Sequence, residues 1–111
     1  MRKLKFRVWD NVNYMSTPFT LQDIQLRKVQ FTNECVVMQY VGIKDKNGKE
    51  VFEGDIVQPY HGNKKAMKCF IKYGDNGFFM AQSKKDTRMD CIWYYDFEII
   101  GNIYENKKLL K

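Results

Sequence analysis

Residues 40–57 read YVGIKDKNGKEVFEGDIV. Two apolar runs flank a charged turn, and a Gly-Asp pair then interrupts what could have been one longer strand. The Asn47-Gly48 pair is the strongest short hairpin signal a sequence offers, because both residues accept the positive φ that such turns need. Val51-Phe52 begins the returning strand, and Ile56-Val57 resumes it after the break. Gly54 is best explained by backbone geometry, since glycine permits positive φ or close approach of another chain segment. Asp55 is expected to accept hydrogen bonds from nearby amides and fix the turn. The competing reading makes Glu53 and Asp55 a carboxylate pair for metal or acid–base chemistry. Asp beside a turn glycine is common for structural reasons alone. Gly54 and Asp55 are therefore read as a structural signature.

Moving outward, Leu4, Phe6 and Val8 alternate with Lys3, Lys5 and Arg7, the period of a strand. This alternation predicts the apolar set on the core and the cations in solvent. Tyr14-Met15 is expected to pair back after a turn at residues 10–13. Thr20–Leu26 holds one short helical turn, capped by Thr20 with Asp23. Residues Gln30-Phe31 and Cys35–Val41 read as strands, the second rich in β-branched residues. Gln58–Lys65 reads as a polar loop. Met67–Tyr73 and Phe78–Ala81 form a hairpin about the turn at 74–77, and Gln82–Arg88 reads as a charged loop. Cys91–Tyr95 and Ile99–Tyr104 complete the strands. The pattern is all-β, in a single domain over residues 1–111, with the short N-terminal elements packed on a sandwich or barrel.

The 111 residues carry a net charge of +6. Residues 1–30 hold six Lys/Arg against two Asp/Glu, residues 31–65 five against five, and residues 66–111 eight against six. A basic surface favours nucleic acid or an acidic partner, and it also keeps an aromatic-rich domain soluble. Cys35, Cys69 and Cys91 are odd in number, far apart and set among apolar residues. Buried free thiols in a reducing compartment follow. No pair of Cys or His stands at zinc-ligand spacing, and His61 is the one histidine, so neither a metal site nor a cofactor is expected. No stretch has the apolar length to span a membrane, and the basic N-terminus lacks the core of a signal peptide, which points to the cytoplasm.

The segments KFRVWD at 5–10, MQYVGIKDKNGKEVFEGDIV at 38–57 and EIIGNIYEN at 98–106 resemble the YopX family of phage and prophage proteins. The resemblance implies a phage-derived origin in a bacterial host cell and a small SH3-like barrel. It carries over no catalytic residues.

Three function classes follow. The first is a non-enzymatic binding or regulatory module that contacts a protein partner. The second is nucleic-acid binding, largely independent of sequence, with Lys3, Lys5 and Arg7 tracking phosphates. The bland reading of those cations is the solvated face of an edge strand. The third is a small enzyme, for which the chain offers no nucleophile elbow, phosphate loop or metal motif. A lone His61 in a loop reads as surface. Exposed strand edges would also allow homo-oligomers. Trp93-Tyr94-Tyr95 must put aromatic rings on both faces of a strand, and so is a candidate contact surface.

Overall fold

The computed structural model describes residues 4–12, 14–26, 34–74, 77–82 and 96–110. The chain opens with β1 (Lys5–Trp9), β2 (Phe19–Thr20), the single-turn helix α1 (Leu21–Gln25), β3 (Val36–Lys44) and β4 (Glu50–Phe52). These strands form an antiparallel sheet in the order β2-β1-β3-β4. It continues with β5 (Asp55–His61), β6 (Lys64–Lys65), β7 (Cys69–Gly74), β8 (Gly77–Gln82) and β9 (Asp96–Asn102). The second sheet has the order β6-β5-β7-β8, with β9 on β5. The chain is mainly β, as its alternation requires. Among the described residues the pairings make two sheets, and the ring of strands that a closed SH3-like barrel needs is not among them.

Between the sheets lie Val41, Val51, Val57, Cys69, Ile71, Met80 and Phe97. Removing such side chains from water contributes about 1.5–3 kcal/mol each. Cys69 is among them, a buried free thiol whose pKa burial pushes up to about 11. Cys35 is a half-buried free thiol, and Cys91 lies outside the described residues. The helical turn is capped as its sequence indicates. Thr20 Oγ1 accepts from the Asp23 amide at 3.3 Å, and Asp23 Oδ2 accepts from the Thr20 amide at 2.9 Å.

Two expectations need correction. The segment 58–65 is not a loop, because β5 runs on through Gln58 and Pro59 against β9. Proline is tolerated there for a geometric reason. The Pro59 carbonyl faces Ala66 and accepts from its amide at 2.9 Å. The ring nitrogen shares that side, so no donor is missing from the β5–β9 ladder. The buried Gln58 donates from Nε2 to the Ala66 carbonyl at 2.6 Å, closing the turn. The other correction concerns β1, whose cationic face is covered and not solvated, while Val8 on the expected core face is buried as well, at 7% exposure. Lys5, Arg7 and Trp9 face inward with Met38 opposite Arg7. On the other face Leu4 is 43% exposed, while Phe6 packs on Phe19.

Asp45, in the hairpin turn between β3 and β4, ties the sheets together. Its Oδ1 accepts from the amides of Asn47 and Lys49, and its Oδ2 from the Ile99 amide of β9, each at 2.9 Å. Burial raises its carboxyl pKa. The three amides and the Lys49 charge outweigh that, and hold it below the ordinary 3.8. A carboxyl depressed in the folded state stabilises above its ordinary value, and that contribution disappears as pH falls through the folded value.

Two outcomes follow. Asp45→Asn lowers stability at neutral pH, and the gap to wild type closes as pH drops below about 3.8, checked by urea unfolding at a series of pH values. Gly54 sits at φ +85°, and an added Cβ would lie 3.2 Å from Tyr104 and 3.3 Å from Met38. Gly54→Ala therefore destabilises by about 1 kcal/mol or more, seen as a lower midpoint of thermal unfolding.

Candidate functional site

The Glu53-Gly54 dipeptide crosses from β4 in one sheet to β5 in the other, and each of its backbone groups has a partner. The Glu53 amide donates to the Gln39 carbonyl of β3 at 3.0 Å, and the Gly54 amide to the Ile71 carbonyl of β7 at 2.9 Å. The Gly54 carbonyl accepts from the Ile103 amide at 2.8 Å, and the Glu53 carbonyl from Arg7 at 3.3 Å. Glu53 Oε1 also takes the Gln39 amide at 2.9 Å. Only glycine combines this φ with so close an approach of Met38 and Tyr104.

Asp55, 1% exposed, lies beneath the crossing. Its Oδ1 accepts from Arg7 Nη2 at 2.6 Å and its Oδ2 from the Phe52 amide at 2.8 Å. The Arg7 guanidinium also stacks 5.0 Å from the Phe52 ring centre, and its buried Nε lacks a hydrogen-bond partner among the described residues. Burial pushes the Asp55 carboxyl above the ordinary 3.8, and the Arg7 charge and the Phe52 amide offset only part of that. A carboxyl raised in this way contributes its stability in acid and loses it as pH rises through the folded value, opposite in sign to Asp45.

Above the crossing is a groove of about 320 Å³, lined by Val36–Met38 of β3, Phe70–Tyr73 of β7, Glu53, Gly54, Ile103 and Tyr104. Val37 is 49% and Tyr73 62% exposed, large apolar surfaces at the rim. Tyr73 is braced edge-on against Phe78 at 5.0 Å, and Tyr104 against the buried Trp9 at 6.1 Å. The groove thus has an apolar rim on a floor that is covalently and ionically pinned.

Of the residues singled out by sequence, Gly54 and Asp55 are brought together under this groove. Lys5 and Arg7 are not a free cationic face, because Lys5 pairs with Glu50 at 2.6 Å and Arg7 with Asp55. Lys3 and Trp93, Tyr94 and Tyr95 lie outside the described residues. His61 is exposed at the end of β5, opposite Lys64. Val37, Tyr73 and Tyr104 were missed. Tyr73 had one signal: it continues the core-facing set Cys69, Ile71 past the edge of the core. Among the described residues no cluster of three or more His, Cys, Asp or Glu could hold a metal.

Asp55→Asn leaves Arg7 charged and buried, and turns an amide nitrogen toward a donor. It costs about 3–5 kcal/mol in denaturant unfolding. The double variant Arg7→Met, Asp55→Asn keeps the acceptor for the Phe52 amide and removes both charges. It is more stable than Asp55→Asn alone, the mark of a coupled pair.

A family model described as YopX protein matches residues 9–111. The fold is similar to the crystal structure of protein EF1440 from Enterococcus faecalis, at 25% identity over 100% of both chains and a TM-score of 0.65. It is also similar to that of protein yopX from Bacillus subtilis, at 21% identity over 96% of this chain and 95% of that one, with a TM-score of 0.55. No curated protein matches the chain.

Proposed function

The chain belongs to the YopX family, and from that premise we propose that it is a prophage-type, non-enzymatic module whose groove over the Glu53-Gly54 crossing contacts a protein partner. The observation that carries this reading is the exposure of Val37 and Tyr73 at the rim of the groove. Large apolar side chains around a preformed concavity are what protein contacts use, since little ordering is needed on binding. The acidic groups near the groove favour binding over catalysis. Glu53 holds the Gln39 amide, and Asp55 holds Arg7 and the Phe52 amide. Both are positioned for structure, not aimed at a substrate.

Nucleic-acid contact through Lys3, Lys5 and Arg7 has less support, because two of the three cations pair with carboxylates of their own chain. A phosphate would have to compete with Asp55 in a buried site. No helix among the described residues is long and apolar enough to cross a membrane. A cytoplasmic setting in a bacterial host accords with the buried thiol of Cys69.

Affinity capture from bacterial lysate, with and without nuclease, tests the reading when wild type is compared with the Val37→Ser, Tyr73→Ser double variant. A protein recovered by wild type regardless of nuclease, and lost by the variant, is the expected result. Recovery that vanishes with nuclease, or that the groove substitutions leave unchanged, would overturn it.

A further inference from the structure

We propose that the groove receives the guanidinium of an arginine on the partner, with the second carboxylate oxygen of Glu53 as its counter-ion. The inference deepens the protein-partner reading above and rests on it.

Register puts Glu53 in the middle of the groove. The Glu53 amide bonds the Gln39 carbonyl, and β3 runs antiparallel to β4 with Tyr40 opposite Phe52. Val37 therefore lies past the crossing. The Gly54 amide bonds the Ile71 carbonyl, and β7 runs antiparallel to β5 with Phe70 opposite Ile56. Tyr73 therefore lies before it. The two exposed rim side chains stand toward opposite ends, with Glu53-Gly54 between them. Apolar groups around a central polar one exclude water from it once a partner is seated, which is where binding hot spots form.

Charge then identifies the anchor. Glu53 is half-buried and is the one carboxylate among the residues that line the groove. Its Oε1 accepts from the Gln39 amide at 2.9 Å, which holds the carboxylate still. Its Oε2 accepts from no donor among the described residues. Arg7 does not neutralise it, because Arg7 reaches the main-chain carbonyl of Glu53 and pairs its charge with Asp55. These three side chains leave one negative charge over. Lys72, the one cation among the lining residues, leaves β7 on the face opposite to Ile71 and Tyr73. The Tyr104 ring lies against Gly54. Burial pushes its hydroxyl above the ordinary 10, and the Glu53 charge adds to this against an opposing effect of Arg7. The phenol and the carboxylate are thus within electrostatic reach of each other.

Arginine fits this site better than lysine. A guanidinium is flat, weakly hydrated and able to lie against aromatic rings, and Phe70, Tyr73 and Tyr104 line the groove. An ammonium has three donors to satisfy and holds its water more tightly. At about 320 Å³ the groove is at the small end of ligand-sized pockets, room for a side chain or two and not for a folded element.

For the test, random short peptides displayed on phage are selected on the full chain, and an enriched sequence is synthesised. The expected result is one required arginine. Replacing it by citrulline, its neutral isostere, weakens binding by about tenfold or more, as loss of a charged hydrogen bond does. Lysine in its place weakens binding several-fold. Raising the salt concentration weakens the arginine peptide and spares the citrulline one. Glu53→Gln keeps the acceptor for the Gln39 amide, and on this variant the arginine and citrulline peptides bind alike. The ratio of the two affinities, taken on each variant, isolates the charge from any change in fold. Enriched peptides that need Val37 and Tyr73 but no arginine would overturn the inference and leave the protein-partner reading standing. A citrulline penalty that persists on Glu53→Gln would do the same. So would failure of any peptide to enrich while lysate capture still depends on Val37 and Tyr73 and is unchanged by Glu53→Gln. Peptides indifferent to Val37→Ser and Tyr73→Ser would count against both.

Discussion

Arg7 and Asp55 form an ion pair across the boundary between the two sheets, and most of the architecture is arranged around it. Arg7 belongs to β1 in the first sheet, and Asp55 is the first residue of β5 in the second. Taking both charges from water costs several kcal/mol, so the pair is a poor source of net stability. What it imposes is uniqueness. With Asp55 also holding the Phe52 amide and Arg7 also holding the Glu53 carbonyl, sliding β1 by one residue would bury a guanidinium with no acceptor. Register in a strand is otherwise set only by which face is apolar. In β1 that criterion is ambiguous, because Trp9 shares a face with Lys5 and Arg7, and Phe6 and Val8 share the other.

That ambiguity explains what could and could not be read from the sequence. Local features were legible: the Thr20–Asp23 cap, the Asn47-Gly48 hairpin, the pairing of β7 with β8 and the need for glycine at 54. Each depends on chemistry within a few residues. The face of β1 was not legible, because alternation separates two faces without saying which is covered. Burying the cationic face depends on a carboxylate 48 residues away. The continuation of β5 through Pro59 was hidden for a similar reason. Proline argues against a strand unless the side its nitrogen faces is known, and that is fixed by Ala66 and β9. The groove at Val37 and Tyr73 is a still less local property, arising from the relation of two sheets. The run CVVMQYV reads as a strand, and nothing in it marks Val37 as half exposed.

Exposed strand edges ordinarily invite indiscriminate pairing. The outer strand β6 consists of two exposed lysines, which discourage it.

The crossing at Glu53-Gly54 also sets an order of events during chain synthesis. Its bonds reach Gln39 and Arg7, already made when residue 54 appears, but also Ile71 and Ile103. The strand that follows must pair with β9, residues 96–102. An emerging chain can close the β3–β4 hairpin early. The Asp55 carboxylate finds Arg7 and the Phe52 amide already made, but the edge of β5 that takes β9 then waits for about forty further residues, roughly several seconds of translation. Closing so long a loop is slow compared with hairpin formation. The half-built protein passes through a stage in which β5, apolar over much of its length, has no cover along the side that β9 will occupy.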